Sequence, residues 1–421
     1  MMFWIWVWAL VLLLGIYAAM IGGFGRGWRA ALRRGSLRKY QVRQTTTPID
    51  LSGTNEAALR PQEDWSGRGG DEAAIEISVV VAARNEATRQ GPLLEALSRQ
   101  TTRRIWELIW VDDESTDCGA EQVVAYSDEH KHLIVRVLRR DGRDAWPRHK
   151  KGAVAMGVQE ARAPVVLVTD ADCVPGIDWI EAMADPLLRN TSLEFVGGPV
   201  RLGPLHSRWH RSQALEFMTL NAIAASSIAG GRPILSNGGN MAFRKASFLE
   251  LQPYASNMVH PGGDDDFLMH RIAGHFGSKA VDFCLDQEAM ITTPPVDGWS
   301  DFVQQRTRWV SKQGAYPDPW ITWVLKGVWV MQALLAAGML LGGLLGGIYH
   351  EMALVGLLSF TVWMVKGVLD GYFARQAAPF YKLQAGWPLL FLTHAWYLPY
   401  TLWVGLLGYR GRFRWKDRHY G

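Results

Sequence analysis

Cysteine is scarce in this 421-residue chain: three residues, Cys118, Cys173 and Cys284, none of them in a CxxC pair. Their scatter excludes a disulfide framework and a zinc site built from paired cysteines, and leaves reduced thiols in a cytoplasmic domain as the expectation. Charge of one sign does not accumulate either. Lys and Arg number 44 against 40 Asp and Glu, and the resulting +4 is too small an imbalance to argue for nucleic acid. No HExxH occurs, so the histidine ligands of a zinc hydrolase are missing. Charge is also absent locally: residues 2–23 and 327–349 carry none, and 383–409 carry none beyond a protonatable His394. A bilayer core of about 30 Å is crossed by about 20 helical residues at about 1.5 Å each, so each run is long enough. A purely soluble protein is excluded, although the mean hydropathy of −0.03 averages two unlike regions into something ordinary.

What is present divides the chain. The first apolar run has no basic segment before it and no separate small-residue cleavage site, which makes it a retained anchor (1–25). Arg26, Arg29, Arg33, Arg34, Arg38, Lys39 and Arg43 follow, so the positive-inside rule puts the N-terminus outside and the rest inside. These bases begin a juxtamembrane segment and linker (26–74), whose stretch 45–74 is polar, rich in Gly, Pro and Thr, and without apolar periodicity. Tryptophan is abundant, with 20 residues, and many, such as Trp4, Trp329 and Trp403, lie in or beside the apolar runs. Amphipathic rings favour that headgroup level.

From Ile75 the pattern becomes strand and helix in turn. IEISVVVAARNEA, WELIWVDDEST and VVLVTDADC are β-branched runs ending in polar residues, with helical stretches between them. Such alternation predicts βαβ units, a mainly parallel sheet and a cytoplasmic α/β domain over 75–318. Ligands bind at the carboxyl ends of such strands. Those ends here carry Arg84-Asn85-Glu86, Asp112-Asp113 and Asp170-Ala171-Asp172.

After residue 318 the composition turns apolar, with three further segments expected in a membrane region (319–409) before a basic tail (410–421). Lys366 and Asp370 sit four apart in the middle segment, the spacing of a pair on one helix face. The crossings conflict with the tail. Four of them leave the C-terminus outside, whereas RGRFRWKDRHYG favours the inside. Either the last segment, interrupted by Pro388 and Pro399, is a re-entrant hairpin or one crossing is absent.

Four groups of residues carry chemistry. Two carboxylates at i and i+2, Asp170 and Asp172, can share Mg²⁺ or Mn²⁺, although a solvated turn has the same pattern. His149, Lys150 and Lys151 precede a helix, where cations cap poorly but meet phosphate well; a solvated loop is the alternative. Gly262-Gly263-Asp264-Asp265-Asp266 crowds three carboxylates, which raises a pKa as a general base requires. A helix N-terminus welcoming acids would read the same way. Gln305, Arg308 and Trp309 share a helix face, where Arg holds a diphosphate and Trp stacks on a sugar or on that Arg; an interfacial Arg-Trp anchor is the alternative.

In order along the chain, VVVAARNEA, VDDESTD, KKGAVAMGV, TDADC, GGDDDFL and QQRTRW resemble the motifs of the membrane-integrated family 2 glycosyltransferases over residues 75–312. The resemblance implies an α/β GT-A fold, Rossmann-like, with flanking transmembrane helices. It also implies inverting transfer of a sugar from a nucleotide-linked, usually UDP-linked, donor. By it Arg84, Glu86 and Asp113 line the nucleoside pocket with Asp112 beside them, and Lys151 adds a donor contact. Asp170 meets the nucleotide and Asp172 the metal. Asp265 matches the acidic base and Asp264 stands where Glu is frequent; the block reads GGDDD instead of TED or GED, which leaves a share of the role for Asp264 or Asp266 as the alternative. Gln305, Arg308 and Trp309 match QxxRW, which holds the diphosphate and closes the acceptor site, and Ser236-Asn237-Gly238-Gly239-Asn240 resembles the donor-sugar and acceptor loop. The expected partners are a nucleotide sugar, a lipid or glycan acceptor and the bilayer of a cell membrane, without nucleic acid. A processive polysaccharide synthase of the cellulose or hyaluronan type is the alternative function.

Overall fold

The computed structural model describes residues 2–45, 74–141, 149–255, 262–312, 316, 318–410, 413–415 and 418–420. Most of the expected linker therefore lies outside the described residues. The anchor continues well past residue 25: helix α1 runs from Met2 to Thr45 and carries the first basic residues on its own surface. Its arginines do not prevent this, because Arg is a good helix former and its stem reaches outward.

The α/β domain follows as β1 (Ile77–Ala83), α2 (Gly91–Ser98), β2 (Trp106–Asp112), α3 (Gly119–Glu129), β3 (Ile134–Arg139), α4 (Lys150–Glu160), β4 (Val165–Asp170), β5 (Val174–Pro175), α5 (Trp179–Arg189), β6 (Phe195–Gly197) and β7 (Val200–Leu202). Then come α6 (Arg208–Ala229), β8 (Asn240–Arg244), α7 (Lys245–Leu251), α8 (Asp264–Phe276), β9 (Val281–Phe283), β10 (Ile291–Thr293) and α9 (Trp299–Ser311). Seven strands form one sheet in the order β3-β2-β1-β4-β8-β6-β9, with β3, β2, β1 and β4 mutually parallel and β8 reversed. A smaller sheet joins β5, β10 and β7. The architecture is mixed α/β, with the parallel strands that the alternating pattern predicts on one side of the sheet. Side chains alternate across the main sheet as the period of two requires: Val80, Val166 and Val168 enter one core, while Val79, Val81 and Leu167 enter the other. Register decides the rim. Ala83 stands level with Asp112 and Ala82 with Asp170, so the acidic strand ends flank β1 on one edge. The reversed β8 brings Asn240 level with Thr169, which places the loop before it at the same rim.

Helices α10 (Pro319–Leu345), α11 (His350–Ala377) and α12 (Trp387–Arg410) complete the chain, with a hairpin of β11 (Phe413–Trp415) and β12 (Arg418–Tyr420). One core cluster is continuous from the sheet into these helices and into α1. Gly27 permits this, since a Cβ there would stand 2.3 Å from the Ser226 carbonyl oxygen of α6. The neighbouring Trp28 is fully buried, donates its indole N–H to the Gln376 carbonyl at 3.1 Å and stacks on Tyr381. Within the apolar layers the Lys366 ammonium meets Asp370 at 2.6 Å, Tyr17 donates its hydroxyl to the same carboxylate, and His394 lies 3.9 Å away. A charge at that depth is tolerated when paired inside the bundle. This pair ties α1, α11 and α12 together.

Among the described residues three helical stretches are long and apolar enough to cross a membrane: Phe3–Gly35, Pro319–Leu345 and His350–Ala377. Helix α12, expected from the sequence to cross as well, is not among them. It starts where α11 ends, beside Trp28, and it leads into the hairpin whose Arg418 reaches Asp113 on the sheet rim at 2.8 Å. Crossings by α1, α10 and α11 alone would leave the basic tail on the same side as the α/β domain, which is the alternative in which one expected crossing is absent. Cys118 is exposed while Cys173 and Cys284 are buried. In oriented vesicles an impermeant maleimide should therefore label Cys118 and a cysteine added after Gly421 from the same side, and a cysteine at Phe3 from the opposite side. Labelling of the two ends from one side would contradict this arrangement.

Candidate active site

The rim opens into a cavity of about 2230 Å³ that Arg84, Glu86, Asp113, Asp170, Asp172, Asp264, Asp265, Gln305, Arg308 and Trp309 all line. Along this rim the loops after β1 and β2 clamp each other. Arg84 donates from one nitrogen to the carbonyls of Asp113 and Glu114, each at 2.6 Å. Asn85 adopts a left-handed φ of 52° and accepts the Thr116 N–H at 2.8 Å, a conformation that Asn tolerates better than most residues. Glu86 is buried against Arg89 at 3.0 Å. Asp113 is also buried, with one oxygen 2.7 Å from Arg140 and the other 2.8 Å from Arg418, which donates to Glu114 as well. Asp112 does something different. Its carboxylate accepts the Ser115 N–H at 3.1 Å, closing the turn after β2, and it does not line the cavity.

At the end of β4, Asp170, Asp172 and Cys173 each offer a ligand atom, all within 4.8 Å of one another. Burial and then the Asp170 charge push the Asp172 carboxyl up. Burial and both carboxylates hold the Cys173 thiol well above its usual range, so it stays protonated. The remaining donors are two carboxylates, and hard oxygen donors with a mutual repulsion to relieve fit Mg²⁺ or Mn²⁺.

Lys150 joins this group to the acidic cluster, 2.6 Å from Asp170 and 2.9 Å from Asp264. Burial would lower its pKa, but the two carboxylates more than reverse that and hold it above the ordinary value. Lys151, the residue expected to contact the donor, turns away. Successive helix residues diverge by about 100°, and Lys151 is enclosed with its ammonium 4.4 Å from the Phe267 ring and 5.9 Å from that of Tyr254. Burial pulls it down to about 8.

The three aspartates at the start of α8 separate in role. Gly263, with φ of 84°, turns the chain into the helix, and a Cβ there would strike the Phe267 ring at 2.8 Å. Asp264 is ion-paired to Lys150, which overcomes its burial and keeps its pKa low. Asp266 accepts the Ser236 N–H at 2.8 Å, the Tyr316 hydroxyl at 3.0 Å and the Lys312 ammonium at 2.5 Å. Asp265 accepts the N–H groups of Gly238 and Asp266 at 2.8 Å each, with Lys312 farther off at 3.7 Å. Burial and the charges of Asp266 and Asp264 push it up to about 6, although Lys312 opposes them. The loop before β8 therefore holds the cluster through its backbone. Asn240 is instead a buried brace, accepting from the Trp179 indole and donating to the Pro199 and Ala289 carbonyls.

On α9 the expected face is present, and a further arginine joins it. Arg306 lies over the Trp309 ring at 4.3 Å, and it also covers Phe302 at 4.3 Å. It is buried and paired to Glu216 at 2.7 Å, and Tyr400 of α12 donates to the same carboxylate. Arg306 thus fixes a ring that lines the cavity. Sequence reasoning also missed Lys312, Tyr316, Arg140 and Arg418. Lys312 had a faint signal, four residues after Arg308, whereas Arg418 is 305 residues from its partner and had none.

Residues 78–250 match the family described as Glycosyl transferase family 2. An undecaprenyl-phosphate 4-deoxy-4-formamido-L-arabinose transferase of Pectobacterium carotovorum is 38% identical over 100 residues, 23% of this chain and 28% of that protein. A dolichyl-phosphate beta-glucosyltransferase of Drosophila melanogaster is 36% identical over 109 residues, 24% of this chain and 32% of that protein. The chain therefore spans about a third or less of the length of these relatives. Among solved structures, a mannosyltransferase of Pyrobaculum calidifontis in complex with GDP-Man and Mn²⁺ has a TM-score of 0.45 at 17% identity, covering 94% of this chain and 96% of that one. A Mycobacterium tuberculosis glucosyl-3-phosphoglycerate synthase in complex with Mn²⁺ and UDP-glucose has a TM-score of 0.41 at 19% identity, covering 58% and 81%.

The two adjacent lysines should separate experimentally. Lys150→Met strands two carboxylates and should cost about 3 kcal/mol of stability, read by thermal unfolding at pH 7. Lys151→Met removes a buried ammonium and should leave the midpoint unchanged or raised. Its folded pKa of about 8 lies below its ordinary value, so its penalty is full below pH 8 and fades as pH rises beyond it. The wild type should gain stability over that window, and the Lys151→Met variant should not.

Proposed function

We propose that this chain, whose residues 78–250 belong to the family 2 glycosyltransferases, moves a single sugar from a nucleotide-sugar donor, a UDP-sugar in the first instance, to a lipid or lipid-linked acceptor. One observation carries the reading: the cavity that holds the acidic rim and the α9 face is lined also by α10 and α12, through residues such as Trp329 and Tyr397. A water-soluble donor and a membrane-held acceptor can therefore meet in one space. The lipid phosphates named in the two curated relatives support a lipid-linked acceptor. The arginines on α1 support a cytoplasmic domain in a multi-pass protein of the cell membrane.

In this reading Arg84, Glu86 and Asp113 receive the nucleoside, with Arg84 and the Asp113–Arg140 pair fixing the pocket's shape. Asp170 and Asp172 would hold Mg²⁺ or Mn²⁺, whose contribution is neutralisation of charge on the departing diphosphate. Lys150, and not Lys151, is the lysine that pairs with Asp170 and orients it. Gln305 and Arg308 take the diphosphate, and Trp309, backed by Arg306, closes the acceptor side. Asp265 is the base. It accepts the proton of the acceptor hydroxyl while that oxygen bonds to the anomeric carbon and the carbon–diphosphate bond breaks on the opposite face, inverting the centre. The Gly238 N–H leaves Asp265 a lone pair for that proton and fixes its direction.

The test is nucleoside diphosphate release by purified protein in native-like lipid, with UDP- and GDP-sugars and with Mn²⁺, Mg²⁺ or EDTA. Metal-dependent release from one donor, with a mass increase of one sugar on an extracted lipid, is the expected result; a ladder of masses would instead indicate the polymer synthase. Neither binding nor turnover of any donor would sink the assignment.

Asp265→Asn should lower transfer about 10²–10⁴-fold. In the wild type, activity should rise with pH and reach half its plateau near pH 6, since the base must be ionised and its pKa is raised to about 6. The same shift has a stability sign. A carboxyl with a raised folded pKa favours the fold at low pH and loses that contribution as pH rises through about 6. Asp265→Asn should therefore unfold at a higher temperature than wild type at pH 7.5 and show no gain at pH 4. An acid limb that persists unchanged in a residually active variant would assign it to another group.

A further inference from the structure

Gln332 is a polar residue that the transfer reaction does not use. It lies in α10, about 20 Å along the helix from Pro319 at about 1.5 Å per residue, and it is 1% exposed. Both its amide nitrogen and its amide oxygen lack a hydrogen-bond partner among the described residues, and it lines the same cavity as Asp265. Trp329, one turn earlier on the same face, also lines the cavity and has an indole N–H without a partner. The helix opposite approaches closely, since a Cβ at Gly405 would stand 2.2 Å from that indole nitrogen. Tyr397 and Thr401 of α12 line this part as well, but the Thr401 hydroxyl is already bonded to the Tyr397 carbonyl at 2.7 Å.

An orphaned amide inside an apolar helix bundle destabilises the fold unless something fills its valences. We infer that Gln332, with Trp329, is the acceptor-selecting subsite: it takes an uncharged lipid that carries, beyond its reacting hydroxyl, a second group able both to donate and to accept a hydrogen bond. This rests on the glycosyltransferase reading, in which the reacting hydroxyl lies at Asp265. A side-chain amide offers one acceptor and two donors. An amide or hydroxyl on the lipid satisfies both atoms of Gln332. An ester carbonyl satisfies the nitrogen alone, and an isoprenoid chain satisfies neither. A pocket built to bond an N–H or O–H rejects analogues that lack it, because its own buried groups are then left unpaired. The selected acceptors are thus amide- or hydroxyl-bearing lipids, in preference to diesters and to polyprenyl phosphates.

The test uses the full chain in lipid nanodiscs with three photoactivatable probes bearing the same diazirine: an N-acyl amino alcohol, a diacylglycerol and a polyprenyl phosphate. Wild type should crosslink the N-acyl amino alcohol about tenfold more than the diacylglycerol, on peptides of α10 or α12. Gln332→Leu should lose that preference about tenfold, with a thermal midpoint in lipid-free detergent equal to or above that of wild type. Equal labelling of wild type and variant, preference for the polyprenyl phosphate, or a lowered midpoint showing that Gln332 braces the fold would each overturn the inference. Nucleoside diphosphate release by the wild type is measured separately. Its absence with every donor would count against the glycosyltransferase reading, while the crosslinking pattern still reports on the subsite.

Discussion

A single ammonium, Lys150, lies 2.6 Å from Asp170 and 2.9 Å from Asp264, and the arrangement of the site depends on it. Asp170 ends a sheet strand, whereas Asp264 begins a helix, so the contact joins two layers of the domain. Five carboxylates converge here, and without internal cations their repulsion would raise several pKa values and loosen the rim. Lys150 neutralises one side and Lys312 the other, 2.5 Å from Asp266. Between these two neutralised ends Asp265 keeps the proton affinity of a base, and Asp172 stays available to a cation.

The same economy governs the membrane part. A charge or a bare amide in a helix bundle must find its partner inside the protein. Lys366, Asp370 and Tyr17 do so among themselves, as do Glu216, Arg306 and Tyr400 at the junction of α6, α9 and α12. Each cluster fastens a helix of the membrane region to its neighbours, and the second fixes Trp309 through Arg306. The domain and its membrane helices are consequently one packed body, with a core that runs from the sheet into α1 and α11. Gln332 departs from that economy, which is why it marks a place for a ligand.

Much of this was legible in the residues. The strands announced themselves because β-branched runs ended abruptly in polar residues, and the sheet needed just those termini at one rim. The three aspartates of 264–266 and the face of Gln305, Arg308 and Trp309 were visible from spacing alone, because the helical period puts i, i+3 and i+4 together. The phase of a helix at its first residue was not visible. Lys150 and Lys151 look equivalent in the chain, and only the packing of α4 on the sheet turned one into the cavity and the other between Phe267 and Tyr254. Apolar length did not reveal how α12 packs either: Tyr400 bonds Glu216 of α6, His394 stacks on Trp363 of α11, and Arg418 of the hairpin beyond reaches Asp113.

The sequence by itself determined the three strands whose ends form the rim, the family resemblance and the inventory of reactive groups, since these follow from local pattern and residue chemistry. Tertiary structure alone decided which carboxylate is paired and which keeps a raised pKa, which arginine stacks on Trp309, and how Arg418 comes to Asp113 from 305 residues away. The reason is physical. Pairing and desolvation depend on distances between segments far apart in the chain, and no spacing along the chain encodes them.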